Sequence, residues 1–278
     1  MWPDELRCPI SLGFDVDGPS SAINKNPDAR KFPSLISMRE YGPKVAVPRI
    51  LNLLEKHEIK ATFFIPGYIA ETNNNMVSSI SDSGHEIAHH GYMHEPPSTL
   101  TSSEEEEVLD KGSKIIREIT GANPLGYRSP SWELSPQSLN LLSERGFEYD
   151  SSLMGDDVPY FVKVGARELV EIPIHWELDD HPFFNYSPAL NQTNVAASPE
   201  HVYQVWSSAF EGLYFYNRSF VLTMHPYIIG RPGRLLMLDK LIAYIKTFKG
   251  TQFFTALELA RLSLIHISEP TRLGMISY

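Results

Sequence analysis

The chain reads as an α/β fold whose mainly parallel sheet is closed, or nearly closed, into a barrel. Short apolar runs rich in branched and aromatic residues alternate along it with longer stretches of helical period, the pattern of strands joined by crossover helices. Its 278 residues are 42% hydrophobic, enough to bury a substantial core. No Gly/Ser-rich linker divides it, so residues 1–262 are expected to form a single domain. Repeated alternation favours a barrel over a small open sheet, although periodicity alone leaves closure open.

In chain order, strands are expected at residues 6–14, 60–65, 86–89, 125–128, 147–150, 169–174, 220–224 and 251–254. Helices are expected between them at 45–57, 76–83, 102–120, 136–145, 199–216 and 234–248. In the first helix Val47, Ile50, Leu51 and Leu54 recur at three- and four-residue steps and give one apolar stripe facing the core. The acidic run Glu104 to Glu107 follows Thr101, Ser102 and Ser103, which suits a helix N-terminus better than a binding tail. Two stretches break the alternation, 19–43 and the Pro- and Asn-rich 179–199, and both are read as loops forming lids or walls around a site. Residues 263–278 depart from the pattern again; they resemble a translated sequencing adapter and are read as a non-native tail.

Totals exclude several functions. A net charge of −10 opposes phosphate backbones and anionic lipid, so neither nucleic acid nor membrane is an expected partner. Cys8 is the single cysteine, so no internal disulfide can form. Residues 1–7 lack the basic and apolar segments of a secretory signal, which predicts cytoplasmic residence.

Four elements carry chemistry, each at the carboxyl end of an expected parallel strand, the face on which barrel enzymes assemble active sites. Asp15 and Asp17, two apart in an extended segment before a Gly-Pro turn, can point into one space, where paired carboxylates call for a cation or a basic side chain. His85, His89, His90 and His94 cluster within ten residues. On one helical turn His90 and His94 would project from a single face and share a metal, whereas His85 and His89 read better as structural. With Asp17 they make three protein ligands, the number that leaves a catalytic zinc a position for water or substrate, and leave Asp15 to accept a proton. Arg128, in Gly-Tyr-Arg-Ser-Pro-Ser-Trp, could pair with Asp15 and orient it, and Trp132 could stack on a sugar face or serve the rim. His225, in Leu-Thr-Met-His-Pro, is placed to protonate a leaving nitrogen.

Residues 13–19, 84–94, 127–132 and 222–226 together resemble the four motifs of the polysaccharide deacetylase family, in matching order and spacing across roughly residues 7–262. The resemblance implies a distorted (β/α) barrel of about seven parallel strands. It implies Asp17, His90 and His94 as ligands of a divalent metal, zinc first with cobalt, nickel or iron as alternatives. It further implies Asp15 as general base, Arg128 as its orienter, His225 as general acid and the Ser131 N–H as an oxyanion donor. Trp132 and Trp176 join Ser131 as substrate-binding residues. No clean equivalent of the His225 partner is found, and Asp150 stands as a guess. Asp-Val-Asp in the first motif is similar to a branch containing intracellular peptidoglycan-deacetylase-like proteins and relatives acting on allantoin or cyclic imides. That branch implies self-assembly as a dimer or tetramer. The expected activity is hydrolysis of non-peptide carbon–nitrogen bonds, most simply deacetylation of N-acetylated sugars of a glycan or peptidoglycan fragment. A small cyclic imide or allantoin-type amide is the alternative, since the long 176–199 loop would roof the cleft. A carbohydrate-binding relative without chemistry is the third reading.

Overall fold

The computed structural model describes residues 2–3, 5–193 and 195–267, the last two by backbone alone. Among these described residues nine strands make one sheet: β1 (Cys8–Asp15), β2 (Thr62–Ile65), β3 (Glu86–His89), β4 (Gly126–Tyr127), β5 (Tyr149–Asp150), β6 (Tyr160–Val164), β7 (Arg167–Glu171), β8 (Phe220–Met224) and β9 (Thr251–Phe254). They run in the order β6-β7-β5-β4-β3-β2-β1-β8, with β9 added beside β1. Every pairing is parallel except the β6–β7 hairpin, and β6 was not expected from the sequence. Its five residues sit next to Gly165, whose positive φ makes the tight turn back into β7.

Strand β1 is the axis of the molecule and all eight of its residues are buried. On one side Ile10 to Phe14 pair with β8; on the other, Cys8 to Ser11 pair with β9 and Gly13 to Asp15 with β2. Alternate residues then face opposite ways. Ile10, Leu12, Phe14, Phe63, Ile65 and Leu222 pack outward against the helices, including Val47, Ile50 and Leu54 of the Val47–Lys56 helix. Phe64, Ala88, Tyr149, Val170 and Val221 form a second core with Ala256, Leu259 and Ala260. The Ala256–Ile267 helix therefore fills the inner face of the curled sheet, tied down by Ala256 N–H to Thr62 Oγ1 and Leu257 N–H to Glu86 Oε2. Ser263, where the expected tail begins, is buried within this helix; residues 268–278 lie outside the described residues.

The structure differs from expectation at residues 19–43, which are not a loop. They form the Ser20–Lys25 and Pro33–Tyr41 helices with a 3-10 turn at Pro27–Lys31 between them. Short amphipathic pieces punctuated by Pro carry too little periodicity to be read as helices. The Ser102–Thr120 helix is as expected, opened by a capping box in which Thr101 and Glu104 each satisfy the other's backbone N–H. Past β7 the chain continues along β5, with Ile172 N–H bonded to Asp150 O, and then crosses to bridge β8 at Asp179 and Thr223. This stretch ties the two ends of the sheet together. Among the described residues no helix is long and apolar enough to cross a membrane.

Candidate active site

The carboxyl ends of four parallel strands meet at one mouth of the curled sheet. Asp15 ends β1, His89 ends β3 just before His90, Tyr127 ends β4 just before Arg128, and Met224 ends β8 just before His225. Asp15, Asp17, His90, His94, Arg128 and His225 are all buried there.

Asp17, His90 and His94 converge. His90 Nε2 lies 3.5 Å from Asp17 Oδ1 and His94 Nε2 lies 3.4 Å from Asp17 Oδ2. Ligands about 2.0–2.1 Å from a tetrahedral ion stand about 3.3 Å apart, so this spacing fits a single divalent cation. Asp17 Oδ1 is moreover buried without a hydrogen-bond partner, which a cation would supply. Burial would raise the Asp17 carboxyl, but His94, His90 and His225 beside it outweigh that and hold it well below the usual range. Burial, against the pull of Asp17, lowers His94 to about 4, leaving a neutral imidazole with a lone pair to offer.

The two imidazoles do not share a helical turn as the sequence suggested. Strand β3 stops at His89, and the chain turns through Gly91 at φ 71° and His94 at φ 64°. Ring centroids of His90 and His94 end 5.0 Å apart, held by the loop rather than by helical spacing. His90 is fixed from behind by its Nδ1 contact with Arg128 O at 2.7 Å, a bond that directs Nε2 toward Asp17. His94 O accepts from the Asn24 side chain at 3.1 Å. His89 serves the turn, its Nδ1 accepting the Gly91 N–H, and His85 accepts the Ala61 N–H; neither reaches the Asp17 group.

Asp15 Oδ1 receives Arg128 Nη1 at 2.8 Å, and Asp15 Oδ2 lies 4.0 Å from His90 Nε2. The guanidinium is clamped by Ser151, through Nε to its carbonyl and Nη2 to its hydroxyl, and lies 3.9 Å above the Phe64 ring. Only glycine leaves room for it at position 13, where a Cβ would stand 2.8 Å from Arg128 Nη1.

His225 Nδ1 contacts Asp180 Oδ1 at 2.7 Å and Asp179 Oδ1 at 3.5 Å. The shorter distance is a charge-assisted hydrogen bond and too close for two ligands of one tetrahedral ion. Burial would lower His225, but Asp179 and Asp180 outweigh it and raise the imidazole to about 10. The sequence's guess for this partner, Asp150, is corrected: Asp150 accepts from Ser152 and lies beside Glu171, away from His225. Asp180 was missed because it stands in the roof segment, 45 residues before its partner. Two adjacent carboxylates in an aromatic-rich stretch, Asp179 and Asp180 before Pro182-Phe183-Phe184, were the available signal.

Ser131 and Trp132 both take φ 60°, a strained pair of residues following Arg128. The turn is pinned by Ser129, whose N–H donates to Ser152 Oγ and whose hydroxyl donates to Glu133 O. Trp132 is buried with one face covered by Trp176 at 4.1 Å, and Trp176 is the exposed partner of that stack. Trp176, not Trp132, therefore presents an open aromatic face. A groove of about 800 Å³ lined by Pro43, Leu51, Met76 and His85 lies along the outer helices and includes none of these residues.

The sequence profile of a family described as Polysaccharide deacetylase matches residues 30–149. A peptidoglycan deacetylase of Helicobacter pylori is 34% identical over 277 residues, covering 90% of this chain and 94% of that protein. A crystal structure from Mycobacterium smegmatis, assigned to the polysaccharide deacetylases, has a TM-score of 0.94 at 34% identity and covers 100% of this chain and 97% of its own. Puue allantoinase shares the fold, with a TM-score of 0.83 at 23% identity over 97% of this chain and 94% of that one.

Proposed function

Because the chain belongs to the polysaccharide deacetylase family, we propose that it removes acetyl groups from N-acetylated sugars of a polysaccharide or peptidoglycan fragment. The observation that carries this reading is the convergence of Asp17, His90 and His94 on one point beside the Asp15–Arg128 and Asp180–His225 pairs. Those three residues would hold a divalent cation, zinc in this proposal, which when bound supplies Lewis-acid polarisation of the acetyl carbonyl and acidifies a water. Asp15, oriented by Arg128, takes the proton from the attacking water. The N–H of Ser131 in its strained turn donates to the developing oxyanion. His225, kept protonated by Asp179 and Asp180, gives its proton to the departing nitrogen. Trp176 offers its exposed ring to the sugar face.

A second substrate reading is a small cyclic imide or allantoin-type amide. It is favoured by the 176–199 segment, which carries Asp179 and Asp180 across the mouth, and by the shared shape with Puue allantoinase. Acetate release from N-acetylglucosamine oligomers by zinc- or cobalt-loaded protein is the expected result. Ring opening of small imides with no acetate released would replace the first reading with the second, and turnover of neither class by folded, metal-loaded protein would reject both.

A further inference from the structure

Two arginines are buried among the described residues, and they are treated differently. Arg128 has its carboxylate in Asp15. Arg39 is 3% exposed yet, among the described residues, has no carboxylate within ion-pair distance; Nη1 donates to Ser21 Oγ at 3.2 Å and Nε is buried with no partner among those residues. A guanidinium carries five N–H donors and is never neutral in a protein, so burying one unpaired is costly unless something else supplies the anion.

Its position says where that anion would be. The guanidinium lies 4.1 Å over the Tyr227 ring, whose centroid is 6.1 Å from that of His225. Ser21, its hydrogen-bond partner, follows Ser20, whose hydroxyl donates to the backbone carbonyl of Asp17 at 2.6 Å. Lys25 stands on the same Ser20–Lys25 helix, exposed and, among the described residues, without an ion pair. Partial burial of its ammonium end and then Arg39 lower its pKa, while Asp17 raises it, so it is near enough to both to feel their charges. Two unneutralised cations thus flank the Asp17 group in a chain whose net charge is −10.

We propose that Arg39, with Lys25 at the rim, is a carboxylate-binding subsite, so that the amide hydrolysed at the Asp17–His90–His94 centre carries a carboxylate of its own. This rests on the hydrolytic reading above and narrows its substrate class to acidic amides. The chemistry is common to an acidic amino sugar and to an acidic cyclic imide, and Arg39 would take either carboxylate through its planar fork.

Steady-state kinetics on two matched pairs distinguish them: N-acetylmuramic acid against N-acetylglucosamine, and hydantoin-5-acetic acid against hydantoin. The acid of one pair is expected to be preferred at least about tenfold in kcat/KM, chiefly through KM. Its methyl ester is expected to lose that preference with the wild-type protein, a comparison that needs no folded variant. Arg39→Gln brings the acid down to its neutral partner, Arg39→Lys restores part of the difference, and Lys25→Gln reduces it. Equal turnover of both members by wild-type protein, or a preference that survives Arg39→Gln, overturns the subsite. Should none of the four compounds react, the hydrolytic reading stands or falls on the oligomer and imide assays above, and calorimetric titration with succinate decides the subsite separately. Binding to metal-loaded protein weakened at least about tenfold by Arg39→Gln supports it, and unchanged affinity overturns it.

Discussion

Asp15 and Asp17 are two residues apart, yet their surroundings assign them different work: Asp17 faces two imidazoles and Asp15 faces a guanidinium. Replacing Asp15 with Asn is therefore expected to cut turnover by at least about a hundredfold while elemental analysis finds the metal still bound; loss of the metal would show that the two roles are exchanged. His225 gives a pH test. Its imidazole is raised to about 10 by Asp179 and Asp180 against the effect of burial. A general acid works protonated, so rate falls as pH rises through its pKa, and Asp180→Asn, by removing a raising charge, is expected to move that basic limb to lower pH and to lower kcat. A limb unmoved in kcat against pH would remove His225 from the acid role. Asp15, Asp17, His90, His94, Arg128 and His225 could be picked out in the sequence because each lies within a few residues of a strand end. Asp180 could not, since its place opposite His225 depends on a chain crossing that no local period encodes.

At the scale of elements, strands β3, β8 and β9 and the Ser102–Thr120 helix have the bounds that apolar runs and capping residues suggested. The helices of residues 19–43 and strand β6 did not show, because each is too short to establish a period of its own. The helical spacing of His90 and His94 misled for the converse reason: a separation of four fits a turn of helix, but two left-handed residues in a loop bring the same rings together. That loop depends on Gly91, at φ 71°, where a Cβ would also stand 3.0 Å from Pro130 Cγ. Gly91→Ala is expected to strain the backbone by about 1 kcal/mol. It is also expected to weaken metal binding about tenfold or more by shifting His94. Competition with a chromophoric chelator measures this, and wild-type affinity in a folded variant would show that the loop tolerates the change.

For the molecule as a whole, the alternation of strand and helix was enough to indicate a parallel barrel, and the outward and inward cores divide along β1 and β2 as alternating side chains require. How the ends of the sheet are joined was not legible. The join is the crossing stretch between β7 and β8, anchored on β8 by the Asp179–Thr223 bridge and the Asp180 N–H bond to Thr223 O at 3.2 Å. Asp180, the partner of His225, hangs from that clasp, whereas Asp17, His90 and His94, the proposed metal ligands, follow β1 and β3 in the interior of the sheet. Mild denaturant should thus act on the enzyme like a fuse, opening the clasp first and silencing it while a bound cobalt ion keeps its visible absorption. Activity and cobalt spectrum vanishing at the same urea concentration would mean that clasp and metal centre give way as one cooperative unit.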